Sequence, residues 1–174
     1  YYGIDYNTHL RTKRGGMTVF DGKKYTRVIH SLENSYFRTK FEDELKNFKG
    51  YSGIGCISDN ESQPLIVKSH LGEYAITSTN RITNLNEIVD KFLKKGVHFL
   101  EMSGSGVNPT EVIAALINEG ETFEEGIKNV FDSIKGMCSM LILTKDGMYA
   151  VRDKLGRTPL VFGRKENESF AVGS

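Results

Sequence analysis

Hydrophobic positions along this chain follow two periods, and the change between them marks the elements. Met17-Thr18-Val19-Phe20 and residues 24–29 read as two strands around Asp21-Gly22, a hairpin-turn pair. Leu32, Phe37, Phe41, Leu45 and Phe48 then recur three to five apart among acidic and basic residues, which predicts one amphipathic helix stopped near Gly50. Residues 52–58, 64–67 and 74–77 are strand-like, with a polar loop at Asp59-Asn60-Glu61-Ser62. Three helix starts follow. Asn84 with Glu87 forms a capping box ahead of Leu85, Ile88, Val89, Phe92 and Leu93, in a helix closed by Gly96. Asn108-Pro109 opens a second helix carrying Val112, Ile113, Leu116 and Ile117. Thr122 with Glu125 opens a third, carrying Phe123, Ile127, Val130, Phe131 and Ile134. The last stretch is β again: residues 138–143, a turn at Asp146-Gly147, residues 148–151, then 160–162 and 169–172, read as a meander.

Strands at both ends with helices grouped between them argue against βαβ crossovers. The economical arrangement is an α+β domain, residues 1–174, in which two antiparallel sheets pack together and helices cover their outer faces. Neither an internal repeat nor a low-complexity linker interrupts the chain.

Composition narrows the function classes. Across 174 residues, 23 basic and 22 acidic side chains leave a net charge of +1, which gives no electrostatic footprint for nucleic acid or an anionic membrane. No apolar run approaches the ~20 residues that span a bilayer, and no signal peptide is visible, so a cytoplasmic protein is expected. Cys56 and Cys138 lie in apolar stretches and read as buried reduced thiols; paired metal-ligand spacing is absent. The sequence starts at Tyr1 without methionine and stops at Ser174 inside strand-like sequence, so it reads as part of a longer polypeptide, truncated at both ends.

Short motifs in a fixed order resemble the class II glutamine amidotransferase domain of amidophosphoribosyltransferases. Arg14-Gly15 resembles the family's early His-Arg-Gly. Residues 53–58 and Gln63-Pro64 are similar to its Gly-His-x-Arg-Tyr-Ser segment and the Gln-Pro that follows. Residues 79–84 resemble His-Asn-Gly-Asn-Leu-Thr-Asn, Gly96, His98 and Phe99 resemble Gly-His-x-Phe, and residues 110–113 match the end of Ser-Asp-Thr-Glu-Val-Ile. Arg152-Asp153, Gly156 and Pro159-Leu160 match Arg-Asp-Pro-x-Gly-x-Arg-Pro-Leu. The resemblance implies the four-layer αββα sandwich of N-terminal nucleophile hydrolases. It also implies a place in purine nucleotide biosynthesis and no cofactor. The implied partner is a phosphoribosyltransferase-like domain of the same polypeptide, and a homo-oligomer is compatible with the family.

The same resemblance locates a glutamine pocket and shows it altered. The family nucleophile is an N-terminal cysteine whose own α-amine is the base. Tyr1 cannot take that role, so no catalytic residue is assigned within the chain and the nucleophile is expected upstream. The arginine that holds the glutamine α-carboxylate matches Cys56, and the aspartate that pairs with the α-amine matches Pro109. The Asn-Gly of the oxyanion hole falls on Thr79-Asn80. Arg14, Cys56, Thr79, Asn80 and Pro109 are therefore expected to converge on one degenerate pocket. Gly104-Ser105-Gly106 reads as an insertion that reshapes its rim, and only weakly as an anion cradle. Two functional readings stay open beside an accidental likeness of an unrelated α+β domain. One is a domain that does not hydrolyse glutamine and acts structurally or in regulation. The other is an active amidase with an upstream nucleophile and a rearranged pocket, in which Lys13, Arg14 or His98 supplies the missing charge.

Overall fold

The structure is a computed structural model that describes every residue except Arg11, Ser105, Asn167 and Glu168, with only the backbone of Leu10. The central residue of Gly104-Ser105-Gly106 thus lies outside the described residues.

A short helix α1 (Tyr2–Asn7) leads into a three-stranded antiparallel sheet of β1 (Arg14–Phe20), β2 (Tyr25–Ser31) and β3 (Ser52–Ser58), ordered β2-β1-β3. Asp21 Oδ1 accepts from the backbone N–H of Lys23 and Lys24 at 2.8 and 2.9 Å, and Gly22 takes φ 92°, so the expected Asp-Gly turn closes the β1–β2 hairpin. The second sheet has four antiparallel strands in the order β4-β5-β8-β9: β4 (Leu65–Ser69), β5 (Gly72–Ile82), β8 (Gly136–Thr144) and β9 (Met148–Arg152). Between β5 and β8 the chain forms α3 (Leu85–Lys94), a small ribbon of β6 (Met102–Ser103) and β7 (Gly106–Val107), α4 (Pro109–Ile117) and α5 (Phe123–Ser133). The expected pairing of residues 138–143 with 148–152 is present, from Leu143↔Met148 to Ser139↔Arg152.

Strand alternation sorts the side chains into layers. Tyr74 and Ile76 of β5 and Cys138, Met140 and Ile142 of β8 turn outward and pack with Val112, Ile113, Leu116, Ile117 and Val130 of α4 and α5. Ile88 and Phe92 of α3 join this main core. On the far side, α2 (Phe37–Phe41) lays Phe37 and Phe41, stacked at 4.3 Å, against Met17 of β1. The order of layers is helix, sheet, sheet, helix, as the αββα expectation requires.

Three sequence-based expectations need correction. Residues 32–48 do not form one helix. Leu32 donates its N–H to Lys13 O at 2.7 Å and so prolongs the first sheet, and the helix is confined to α2, with a separate 3-10 turn at Glu44–Lys46. A step of five from Leu32 to Phe37 already departs from one helical face. Asn84 precedes α3 but makes no side-chain cap. Its amide instead bridges to the next layer, donating to Ser133 O at 3.0 Å and accepting from Lys135 N at 2.8 Å. The final strands β10 (Val161–Lys165) and β11 (Ser169–Gly173) do not extend the second sheet as a meander; they form their own hairpin. Every residue of β10 is exposed, so it carries no buried face with which to join a sheet. The other two caps are realised: Asn108 accepts from Thr110 N at 2.9 Å and Thr122 from Glu125 N at 3.2 Å, although the Glu125 carboxylate reaches Glu121 N rather than closing the box.

Candidate functional site

The space between the sheets has two unlike halves. In one, Ile54, Ala75 and Leu143 pack with Phe20, Tyr25, Ile66 and Leu141. In the other the inward positions of the same strands are small and polar: Thr18 on β1, Cys56 on β3, Thr77 and Thr79 on β5, and Ser139 on β8. Such residues cannot fill the gap between sheets, and a cavity of about 730 Å³ remains. Among the described residues that line it, none has a charged side chain.

A loop beside the cavity organises its polar surroundings. Gly16 lets that loop approach β1, since a Cβ there would overlap the Gln63 carbonyl. Buried Gln63 then replaces a strand neighbour for β5: its Oε1 accepts from Ser78 N and Thr77 Oγ1, both at 2.7 Å, and its Nε2 donates to Ser78 O at 3.1 Å. The same Nε2 donates to Glu61 Oε2, which also accepts from Thr110 Oγ1 at 3.2 Å. Thr110 and Ser78 hydroxyls meet at 2.8 Å, and Asn80 Nδ2 donates to Ser78 Oγ at 2.9 Å. Asn108 Nδ2 donates to Ser62 O at 3.1 Å, and Arg14 Nη1 to Ser62 Oγ at 2.8 Å.

Of the five residues expected to converge, Cys56 and Thr79 line the cavity itself. Asn80 turns to the helix side of β5, yet joins the Glu61–Ser62–Gln63 network through Ser78. Arg14 reaches that network at its exposed side, and Pro109 sits between Asn108 and Thr110, both bonded to it. Lys13 and His98 are exposed, and neither they nor Arg14 line the cavity. Sequence reasoning missed Glu61 as more than loop, and missed Thr18 and Ser139. Their signal was strand alternation, which puts both on the inner face among residues too small to pack.

Burial dominates the site's electrostatics. It pushes the Cys56 thiol up to about 12, against a hydrogen bond to Thr77 that acts the other way. It pushes Cys138 up to about 12 as well, reinforced by Asp153 and Glu61. Both cysteines are free thiols held protonated, not nucleophiles. Burial also raises the Glu61 carboxyl above its ordinary value, opposed by hydrogen bonds from Thr110, Gln63 and Asn80. Among the described residues no group of three or more His, Cys, Asp and Glu could hold a metal. No helix among them is long and apolar enough to cross a membrane.

Comparison with known proteins places the whole arrangement. Residues 53–174, which carry β3 to β11 and most of the cavity wall, match the glutamine amidotransferase domain family. The chain belongs to that family. Curated relatives of this amidotransferase domain include the amidophosphoribosyltransferase of Methanocaldococcus jannaschii, 31% identical over 180 residues. That alignment covers 98% of this chain and 37% of the relative. The Bacillus subtilis amidophosphoribosyltransferase is 27% identical over 185 residues, covering 100% and 37%. Among solved structures, one described as the allosteric regulatory enzyme of purine biosynthesis superposes with a TM-score of 0.83 at 26% identity, over 99% of this chain and 38% of that one. The glutamine phosphoribosylpyrophosphate amidotransferase of B. subtilis, solved with ADP and GMP, gives 0.78 at 25% identity, over 97% and 38%. The amidotransferase domain thus has the N-terminal nucleophile fold, and it spans little more than a third of the relatives it matches.

Proposed function

We propose that this amidotransferase domain neither binds nor hydrolyses glutamine by the family's mode, and that it serves as a structural or regulatory domain of a longer amidophosphoribosyltransferase-type polypeptide. The observation that carries the reading is the lack of charged side chains among the described residues lining the cavity. Glutamine presents a carboxylate and an ammonium, and each needs a partner to leave water. Cys56 stands where the resemblance puts the carboxylate-binding arginine, with its thiol held neutral. Pro109 stands where it puts the amine-binding aspartate, and its hydrocarbon ring offers no carboxylate to accept from an ammonium. Glu61 does not replace that aspartate, because its carboxyl is engaged by Gln63 and Thr110 and does not line the cavity.

Magnitudes favour loss of binding over mere weakening. Truncating one member of a buried, hydrogen-bonded charge pair costs on the order of 2–5 kcal/mol, and here both ends of the ligand are affected. A micromolar site so deprived falls to millimolar or weaker. Calorimetric titration of the chain with glutamine to ~10 mM should show no saturable heat, and the longer protein should release no ammonia from glutamine. Saturable glutamine binding, or glutaminase activity in the longer protein, would overturn the reading. A phosphoribosyltransferase-type partner domain in the longer protein is supported by the amidophosphoribosyltransferases that the chain resembles over its full length, and a role in purine biosynthesis by the likeness to the allosteric regulatory enzyme of purine biosynthesis.

A further inference from the structure

Two buried hydroxyls that line the inter-sheet cavity have no hydrogen-bond partner. Thr18 Oγ1 belongs to a residue 0% exposed on β1, and Ser139 Oγ to one 3% exposed on β8. One comes from each sheet, so they enter the cavity from opposite walls. Thr12 Oγ1, on a half-buried residue of the same lining, is also unpartnered. Buried hydroxyls are ordinarily satisfied, because an unpaired one forfeits its hydration. Apolar side chains, Ile54 and Leu141 among them, share the lining with these hydroxyls.

We propose that this cavity binds a small uncharged molecule that carries both hydrogen-bond donors and acceptors on an apolar body, a carboxamide class of ligand and not an amino-acid zwitterion. The inference rests on the reading that the glutamine-recognition charges are gone, and adds what the site accepts in their place. A hydroxyl donates one hydrogen bond and accepts two, so Thr18 and Ser139 can serve either side of an amide group. A carboxylate or ammonium entering the same space loses its water and meets no charged side chain on the described lining. The walls therefore select against charge. What the wider family is built to grip becomes here a penalty on entry.

Nα-acetyl-L-glutaminamide is the decisive probe: it keeps the glutamine side chain and neutralises both ends. Isothermal titration and protein-observed NMR on the 174-residue chain should show it binding saturably, at least about tenfold tighter than glutamine. Thr18→Val and Ser139→Ala should each weaken it about tenfold, as loss of one buried hydrogen bond does. Without ligand, Thr18→Val should leave Tm unchanged or raise it, because the hydroxyl it removes has no partner. No saturable binding of the probe at ~50 mM, or binding indifferent to both substitutions, overturns the inference. So does a fall in ligand-free Tm for Thr18→Val, which would mean that internal water already satisfies the hydroxyl. If neither compound binds, this inference fails and the loss of glutamine recognition stands; if glutamine binds as well as the blocked probe, that earlier reading fails.

Discussion

Gly16 of β1 lies directly beneath the main-chain carbonyl of Gln63, and a Cβ added to Gly16 would overlap that oxygen. The obstacle is backbone, so no side-chain rotation relieves it. Gly16→Ala should therefore destabilise the domain by roughly 3 kcal/mol, at the upper end of overpacking costs. Gly3→Ala, where nothing lies within 4 Å of the added Cβ and α1 favours alanine, should leave stability unchanged or raise it by up to about 1 kcal/mol. Urea denaturation of the two variants checks the contrast, and equal midpoints would contradict it.

Glu61 couples stability to pH. Burial raises its carboxyl pKa in the folded chain. The unfolded chain therefore ionises first, at about 4.3, while the folded chain still holds its proton. Its contribution is fully present below that pH and is lost as pH rises through the higher folded value. Glu61→Gln keeps an oxygen for Thr110 and Gln63 and should flatten this part of the stability profile. Denaturation midpoints from pH 3.5 to 7 for both proteins decide it; parallel profiles would exclude Glu61 as the source.

Asn84 separates a cap from a brace. As a helix cap it would tolerate aspartate well, because aspartate caps equally and favours the helix N-terminus. As the bridge seen here, Asn84→Asp keeps the acceptor for Lys135 N but loses the donor to Ser133 O. That leaves two acceptors facing each other, and the variant should lose about 1–3 kcal/mol. Thermal unfolding at pH 7 is the measurement, and an unchanged or higher Tm would restore the capping role.

The cysteines should be silent while the chain is folded. With Cys56 and Cys138 pushed up to about 12, only about one thiol in ten thousand is ionised at pH 8. Both should react with a disulfide reagent only after urea is added. Rapid modification of Cys56 in the native chain would show a thiolate in the cavity.

Much of this fold was legible because each element carried a local signal. The Asp21-Gly22 hairpin, the caps at Asn108 and Thr122, and the β8–β9 turn each rest on residues close together in sequence. The failures share another origin. Asn84 looks like a cap until its partners turn out to be Ser133 and Lys135, about fifty residues away, and Leu32 looks helical until Lys13 claims its N–H. The site was half legible for the same reason. Motif order pointed to Cys56 and Thr79, which do line the cavity. Glu61 gained its importance only when Thr110 and Asn80 were brought beside it, and the hydroxyls of Thr18 and Ser139 matter only because the sheets leave space between them.

Strand β5 presents Tyr74 and Ile76 to the helices and Thr77 and Thr79 to the cavity. The residues that keep the domain folded and those that would meet a ligand are thus neighbours in sequence with separate surroundings. Selection acting on one set leaves the other free to change. A lineage can lose a substrate in single steps at such positions without passing through an unfolded ancestor. An outward core of this kind can preserve the architecture while the inward face changes, so kinship of fold does not by itself carry kinship of chemistry.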